Sequence, residues 1–416
     1  MKRRVVVTGL GVVTSLSCQV DDLWNRILAG ESGVHALRCF DTEEFKVKFG
    51  GDIHDWDPSE FLAPKEIKRI DRFTQFAMVA ATKAIRDSGL DFKTEEPFRC
   101  GVILGSGIGG LGEIEEQMFK LFEKGPSRVS AMTVPKMMLN AAGGHISIEY
   151  GLRGPNYTVA TACASATNAI GDALKTIQYD DADVMITGGT EAAMTRMGLS
   201  AFTNIKALSS RNVDPSRASR PFDLDRDGFV FSEGAGLLVF EELEHAKARG
   251  AKIYAEVIGY GASGDAGHIT QPDEHGTGAA YAMAAALRDA KIDPTAIDYI
   301  NAHGTSTPLG DKAETLAIKD VFREYAKSVS ISSTKSSLGH SLGASGGIEL
   351  ILAAKAIEAN VVPPTINLDT PDPECDLDYT PNQPRERRID YAMSNSFGFG
   401  GHNASVVIRR LPNGQA

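Results

Sequence analysis

Short apolar runs alternate along the chain with stretches of helical periodicity, and this alternation restricts the fold more than any other feature. The helical stretches cover 75–89, 276–291 and 347–360, and Gly89 marks the end of the first. The runs are rich in β-branched residues and apolar on both faces, as strands covered by helices on both sides are. They lie at 3–8, 100–107, 183–189, 253–261, 298–304 and 404–410. The predicted class is α/β.

The two halves of the chain resemble one another in order. Residues 4–15 pair with 254–265, and the strand, turn and helix of 158–174 are matched by 329–352. Such self-similarity predicts a duplicated fold with one active site at the seam. We interpret 236–252 as the connection, which gives halves of 1–252 and 253–416.

Composition excludes several classes of protein. A net charge of −11 argues against a general nucleic-acid binder. No apolar run is long enough for a membrane helix, and the basic N-terminus leads into a first core strand rather than a signal peptide. The five cysteines are scattered without a CxxC pair, which disfavours a disulfide framework or zinc site and favours the cytoplasm: Cys18, Cys39, Cys100, Cys163 and Cys375.

Two glycine patterns imitate a dinucleotide site without its context. Gly9 and Gly11 follow the first strand but lack the third glycine, and an acidic stretch follows Gly105, Gly107 and Gly110. Both patterns are more typical of tight strand-to-helix turns. The acidic run 223–229 lacks the glutamate of a calcium loop, so no metal-ligand set is predicted from these residues.

Cys163 lies where a strand-like run meets a helix through small residues. The turn places its sulfur near a helix N-terminus, which favours a thiolate and can stabilise an oxyanion. A lone cysteine is commonly an inert core residue, so only partners can make it a nucleophile. His303, Lys335 and His340 are candidates, because each follows a strand-like run and lies among Gly, Ser and Thr. Phe397 and Phe399 stand in a glycine-rich stretch that is too flexible for an ordinary core strand.

Four motifs in this order, TACAS, NAHGTSTPLGD, KSSLGHSLGASG and NSFGFGGHN, closely resemble the β-ketoacyl-acyl carrier protein synthases of the thiolase-like superfamily. The resemblance covers essentially the whole chain, and GSGIGG makes it most like the type II elongating synthase. It implies a layered α-β-α-β-α sandwich, with the nucleophile in the first half and two catalytic histidines in the second.

The resemblance also implies a decarboxylating Claisen condensation in fatty acid elongation. Cys163 would carry the acyl group, with the backbone N–H groups of Cys163 and Phe399 as the oxyanion hole. His303 and His340 would bind the malonyl thioester carbonyl and stabilise the enolate. Lys335 would lie in the same hydrogen-bonded set, with Glu314 as its counter-charge.

Further residues are assigned by the resemblance alone. Thr305, Thr307 and Thr270 would line the malonyl and pantetheine channel. Phe399 would gate the acyl pocket, which contains Ile108. No cofactor is expected beyond the carrier's phosphopantetheine, although Asn301 and Glu349, with 394–396 nearby, could form a site for a monovalent cation.

The family implies a homodimer and an acidic acyl carrier protein as partner, and neither nucleic acid nor a membrane. Lys65, Lys68 and Arg69 are spaced as on one helical face, with Arg72 a turn further on. These residues and Lys206 are candidate docking residues, although a solvated helix face remains an alternative.

Some positions depart from the family pattern. Ala166 replaces the usual glycine after the nucleophile, and Met132 and Thr133 stand where relatives often have paired phenylalanines that reach the neighbouring subunit's acyl pocket.

Three rival functions are weighed. A coenzyme A thiolase would need a second cysteine near the C-terminus, where His402 stands. A non-catalytic chain-length partner should lack the nucleophile. The ketosynthase subunit of a type II polyketide system would have the same catalytic residues, and it remains open.

Overall fold

The computed structural model describes residues 2–411, so residue 1 and residues 412–416 of the two predicted halves lie outside it. The strands are β1 Val5–Thr14, β2 His35–Ala36, β3 Phe49–Gly50, β4 Cys100–Gly105, β5 Asn156–Val159, β6 Val184–Glu191, β7 Gly234–Glu242, β8 Ala255–Gly264, β9 Tyr299–Asn301, β10 Ser330–Ser332, β11 Val361–Val362, β12 Arg385–Glu386, β13 Tyr391–Gly398 and β14 His402–Arg409. The α-helices are α1 Val20–Leu28, α2 Pro64–Ile67, α3 Arg72–Ser88, α4 Leu111–Lys124, α5 Thr133–Met137, α6 Ala141–Tyr150, α7 Ser165–Gln178, α8 Arg196–Asn204, α9 Leu243–Ala248, α10 Thr277–Ala290, α11 Pro308–Phe322, α12 Lys335–Leu338 and α13 Ser345–Ala359.

One ten-stranded sheet contains both halves of the chain, in the order β10-β9-β13-β14-β8-β1-β7-β6-β4-β5. From its outer edge inward, the N-terminal half has the order β5, β4, β6, β7, β1, and the C-terminal half has β10, β9, β13, β14, β8. When the strands are numbered within their own half, both orders read third, second, fourth, fifth, first. The halves meet where Val5–Val7 of β1 pairs antiparallel with 255–257 of β8. This repeated strand order confirms the duplication that the sequence predicts.

The two five-stranded halves of the sheet are the two β layers of the predicted α-β-α-β-α sandwich, and helices lie outside each half and between them. In the N-terminal half α3 packs outside β1 and β7, and in the C-terminal half α10 packs outside β8 and β14. Between the halves lie α7 and α13, each contacting strands of both. Strand β4 shows the alternation, because Ile103 faces the inner core while Val102 and Leu104 face the outer one.

Two sequence interpretations are wrong in detail. The first part of 236–252 is not a connection but β7, which pairs with β1 along its whole length. The stretch 394–403, whose glycines predict too flexible a backbone for a core strand, contains the end of β13 and the start of β14, and Ser394, Asn395 and Ser396 are buried between β9 and β14. Polar residues fit there because the strand lines the active site.

None of the helices within residues 2–411 combines the length and the apolar character needed to cross a bilayer.

Candidate active site

Cys163 lies at a sharp elbow between β5 and α7. The residue before it, Ala162, has φ 50°, a left-handed conformation that is strained for a residue with a Cβ atom. The Ser165 hydroxyl accepts a hydrogen bond from Thr161 N (2.9 Å) and donates one to Ala162 O (2.6 Å). Gly398 packs on the elbow so closely that a Cβ there would lie 3.0 Å from Cys163 N. The turn is therefore fixed from two sides.

Two histidines from the second half approach the sulfur. His340 Nε2 lies 3.0 Å from Cys163 Sγ, and His340 Nδ1 lies 3.0 Å from the Ser345 hydroxyl. The His303 ring stands edge-on to that of His340, with centroids 5.4 Å apart. Because a hydroxyl can both donate and accept, Ser345 supports either tautomer of His340. Ser345 was not predicted from the sequence.

Burial sets the protonation of the thiol. Desolvation raises the pKa of Cys163 to about 12, although the Lys335 charge and the backbone N–H groups of Phe399 and Cys163 act in the opposite direction. The resting thiol is therefore neutral and requires a base. The same two N–H groups lie against the sulfur, as an oxyanion hole requires.

Both histidines are held neutral. Burial, followed by the positive charge of Lys335, lowers the pKa of His303 and of His340 well below the ordinary value. Neutral imidazoles can accept a proton from the thiol and can donate a hydrogen bond to a carbonyl oxygen. The arrangement thus provides a base and two donors around one sulfur.

The counter-charge of Lys335 is Glu349, and the expectation that it is Glu314 is wrong. Lys335 Nζ forms a buried ion pair with Glu349 Oε1 from α13. Glu314 from α11 instead accepts hydrogen bonds from His303 N (2.9 Å) and Gly304 N (2.7 Å). Its burial raises the pKa of Glu314 to about 7. Glu314 therefore positions the backbone of His303 rather than balancing a lysine.

A cavity of about 590 Å³ opens above Cys163, a size suited to a small organic ligand. Ile108, Phe202, Phe229 and Leu342 give it an apolar wall, and Phe399, whose backbone N–H lies against the sulfur, also lines it. Lys206, Thr270, Thr305 and Thr307 also line it. The structure therefore brings the predicted channel and pocket residues into one cavity with Cys163, His303 and His340.

Glu191, at the end of β6, was not singled out in the sequence. Its carboxylate is buried and accepts hydrogen bonds from Gly107 N (2.7 Å), Ile108 N (3.2 Å), Gly109 N (3.3 Å) and Gly343 N (3.2 Å). The amides that would bind a phosphate in a dinucleotide site are thus already bound to a carboxylate. A charged residue within an apolar, fully buried strand was the available signal.

The predicted docking residues are solvent-exposed. Lys65, Lys68 and Arg69 lie on and just after the short helix α2, and Lys206 is exposed where it borders the cavity. Arg72 does not extend this patch, because it begins α3 and forms an ion pair with the buried Glu233 (2.7 Å). The single helical face expected from 65 to 72 is wrong, since α2 ends at Ile67.

Family models match most of the chain. The family models for the beta-ketoacyl synthase N-terminal and C-terminal domains match residues 2–246 and 254–369. The chain is 50% identical over 410 residues to 3-oxoacyl-[acyl-carrier-protein] synthase 2 of Coxiella burnetii, covering 99% of both chains. It is also 50% identical over 409 residues to the protein of that name in Synechocystis, covering 98% of both chains.

Solved structures show the same fold. A type II PKS ketosynthase bound to the hexaketide, in complex with its acyl-carrier protein, superposes with a TM-score of 0.92 at 36% identity, covering 99% of this chain and 100% of that one. A beta-ketoacyl synthase from Burkholderia phymatum superposes with a TM-score of 0.91, also at 36% identity and with the same coverage. The chain belongs to the beta-ketoacyl synthase family.

Proposed function

We propose that the chain is a 3-oxoacyl-[acyl-carrier-protein] synthase that extends an acyl chain by decarboxylating condensation with malonyl-carrier protein in fatty acid elongation. One observation supports this function most directly: the Cys163 thiol lies 3.0 Å from His340 Nε2, beside His303 and below an apolar cavity. The relatives at 50% identity bear the name of this activity.

In the first step, Cys163 takes the acyl group. His340 accepts the thiol proton, and the thiolate attacks the carbonyl carbon of the acyl thioester. The resulting oxyanion receives hydrogen bonds from the backbone N–H groups of Cys163 and Phe399. The carbon–sulfur bond of the carrier thioester then breaks, and the carrier thiol leaves with the proton from His340.

In the second step, malonyl-carrier protein loses CO₂. His303 and His340 donate hydrogen bonds to its thioester carbonyl, and the electron pair of the broken carbon–carbon bond is held as an enolate. The enolate carbon attacks the acyl carbonyl carbon on Cys163. The cysteine sulfur leaves as a thiolate, which carries the negative charge of the lost malonyl carboxylate, and one proton taken up from solvent restores the resting thiol.

An acyl carrier protein and a second copy of the chain are the proposed partners. Lys65, Lys68, Arg69 and Lys206 offer exposed positive charge to an acidic carrier, on a chain whose net charge is −11. A dimer would cover the free edge of β5 and a group of exposed apolar side chains nearby in the sequence. This group is Phe119, Phe122, Met132, Val134, Met138 and Ile148. A cytoplasmic location suits a nucleophilic thiol that must stay reduced.

A monovalent cation beside the Lys335–Glu349 pair is proposed on the basis of unpartnered oxygens. Asn301 Oδ1, Glu349 Oε2 and Ser394 Oγ are buried and accept no hydrogen bond from the described residues. Asn301 and Ser394 are neighbours across β9 and β13, and Asn301 Nδ2 donates to Glu349 O (3.4 Å). Oxygen ligands suit a hard cation, which would stabilise the carboxylate that holds Lys335.

The division of labour between the two histidines provides the test of mechanism. His303→Ala should still accept an acyl group on Cys163, because His340 remains as base, yet lose about 10²- to 10⁴-fold in decarboxylation of malonyl-carrier protein. Mass spectrometry of the intact protein and CO₂ release measure the two steps. His145→Ala, a change of a half-buried histidine in α6, is the control. Loss of acyl loading alone would contradict the assignment.

The polyketide ketosynthase is the second candidate, because the superposed structures include one bound to a hexaketide. Acyl-carrier proteins from short to long chains, offered with malonyl-carrier protein, distinguish the two functions. A fatty acid enzyme should add one two-carbon unit to a saturated chain per turnover. Repeated extension without reduction of the keto groups would favour the polyketide function instead.

A further inference from the structure

A second group of potential metal ligands lies outside the active site. His35, Asp52 and His54 each offer one ligand atom, and these atoms lie within 4.8 Å of one another. Asp52 is fully buried, while the two histidine side chains are 25% and 20% exposed. The group therefore has a buried anionic end and an end that is open to solvent.

The ligand atoms are without hydrogen-bond partners. Asp52 Oδ1, His35 Nε2 and His54 Nδ1 are all buried and form no hydrogen bond within residues 2–411. Asp52 Oδ1 and His35 Nε2 face each other at 3.0 Å without the alignment of a hydrogen bond. His35 and Asp52 therefore form an ion pair without an aligned hydrogen bond, and His54 Nδ1 is left without a hydrogen-bond partner within residues 2–411. A shared cation would satisfy all three atoms.

The remaining atoms of these side chains are held as they are in metal sites. His35 Nδ1 lies 3.0 Å from Gly33 O, an oxygen that can only accept, so Nδ1 carries a proton and Nε2 is the nitrogen that would present its lone pair to a metal in place of a proton. Asp52 Oδ2 accepts hydrogen bonds from Arg38 N (3.2 Å) and Cys39 N (3.1 Å), which orients Oδ1. Both ligands are thus positioned by backbone groups.

The third ligand must exchange partners for a metal to bind. His54 Nε2 lies 3.0 Å from an Arg38 guanidinium nitrogen and 2.9 Å from Asp55 Oδ2. A metal on Nδ1 requires the proton on Nε2, which then donates to Asp55 while Arg38 is released. Repulsion between the metal and Arg38 favours the same movement.

We propose that His35 Nε2, Asp52 Oδ1 and His54 Nδ1 bind a divalent transition-metal ion of the Zn²⁺ type, with a fourth position open to water. Two imidazoles and a carboxylate are a ligand set that such ions accept, at metal–ligand distances of about 2.0 to 2.2 Å. The three side chains already bring one ligand atom each to within 4.8 Å of the others, so binding requires side-chain rotation rather than movement of the backbone.

The ion would join two parts of a segment with little regular structure. Between α1 and α2, residues 29–63 form only the short strands β2 and β3. His35 belongs to β2, and Asp52 and His54 follow β3. The segment is linked to the active site through Gly51 N, which donates to Phe231 O (2.9 Å), and Phe231 forms a β-bridge with His340. Metal binding would therefore restrict the motion of the backbone that supports His340, the catalytic base.

The test uses the full-length, tag-free protein in a Cys163→Ala background, because the Cys163 thiol beside two histidines could itself bind a soft metal. After dialysis against a chelator, Co²⁺ is titrated and its d–d absorption recorded, followed by competition with Zn²⁺. We expect one Co²⁺ per chain. His35→Gln and His54→Gln should each raise the dissociation constant of Co²⁺ by about 100-fold or more.

His245→Gln is the matched control. His245 also contacts carboxylates, but both of its nitrogens have partners, Glu241 (2.6 Å) and Glu95 (2.9 Å). It should retain the bound Co²⁺. As a second measurement, Zn²⁺ should raise the melting temperature of the parent and of His245→Gln, but not of the other two variants. The proposal is overturned if the parent binds no stoichiometric Co²⁺, or if His35→Gln and His54→Gln both bind it as the parent does.

Discussion

The elbow at Cys163 has a counterpart in the second half of the molecule, at Gly343. Ala162 before Cys163 has φ 50°, and Leu342 before Gly343 has φ 47°, and a helix follows each turn. The left-handed backbone conformation is the same at both turns, but only the first elbow carries a nucleophile. At Gly343 a Cβ would lie 2.5 Å from Gly107 N and 2.6 Å from Glu191 Oε2, so no side chain fits.

The chain leading into each elbow differs as well. In the first half, residues 160–161 alone separate β5 from Ala162, whereas in the second half residues 333–341 separate β10 from Leu342. These extra residues carry Lys335 and His340. One copy of the duplicated unit thus carries the sulfur, while the other has no side chain at the same point of its elbow and carries the histidine base and the lysine instead.

The largest effect is expected from making the first elbow resemble the second. Cys163→Gly should lower condensation by about 10⁴-fold or more, because no acyl-enzyme can form. Decarboxylation of malonyl-carrier protein should continue, since His303 and His340 remain. Intact-protein mass and CO₂ release measure both, and the exposed-cysteine variant Cys39→Ser should load normally. An acyl adduct on Cys163→Gly would contradict the assignment.

The opposite change, which adds a side chain to the second elbow, should lower the stability of the fold. Gly343→Ala places a Cβ against Gly107 N and Glu191, which should reduce the free energy of unfolding in urea by about 1 to 3 kcal/mol. Gly144→Ala is the control, because nothing lies within 4 Å of a Cβ there and alanine favours the helix. Equal stability of the two variants would show that the second elbow tolerates a side chain.

The smallest effect concerns pH. Since the pKa values of His303 and His340 lie well below the ordinary 6.5, both rings stay neutral as pH falls from about 7.5 to about 6.5. Any small change in the condensation rate over this range should come from Glu314, whose pKa is raised to about 7 and whose carboxylate holds the backbone of His303. Lys335→Met removes a charge that lowers both values, so the acid limb of the pH–rate profile should move to higher pH. An unmoved limb would mean that burial alone sets these pKa values.

Much of the site could be predicted from the sequence because its residues lie in compact motifs. The strand-to-helix turn identified Cys163, and the motifs around His303, Lys335 and His340 identified its partners. The structure brings the sulfur and both imidazoles together around one cavity. The duplication was predicted from order alone, and the strand order of the sheet confirms it.

Contacts between distant segments could not be predicted. The pairing of Lys335 with Glu349 rather than Glu314 depends on which helix faces the site, and two glutamates near the same motifs look alike in a linear sequence. Arg72 looked like a continuation of a basic helix, but its partner Glu233 is brought near only by the fold. Strand β13 was missed because its inner residues are polar.

The hydrogen bonds of Glu191 affect how the substrate preference of this enzyme could change. Its carboxylate holds the loop at 107–109 through main-chain amides, and the one side-chain hydroxyl that donates to it belongs to Ser106, just before the loop. The loop's shape is therefore independent of which side chain stands at 108, the position that forms part of the acyl wall. Evolution can exchange the residue at 108 and alter the depth of the pocket while the frame around the nucleophile stays in place.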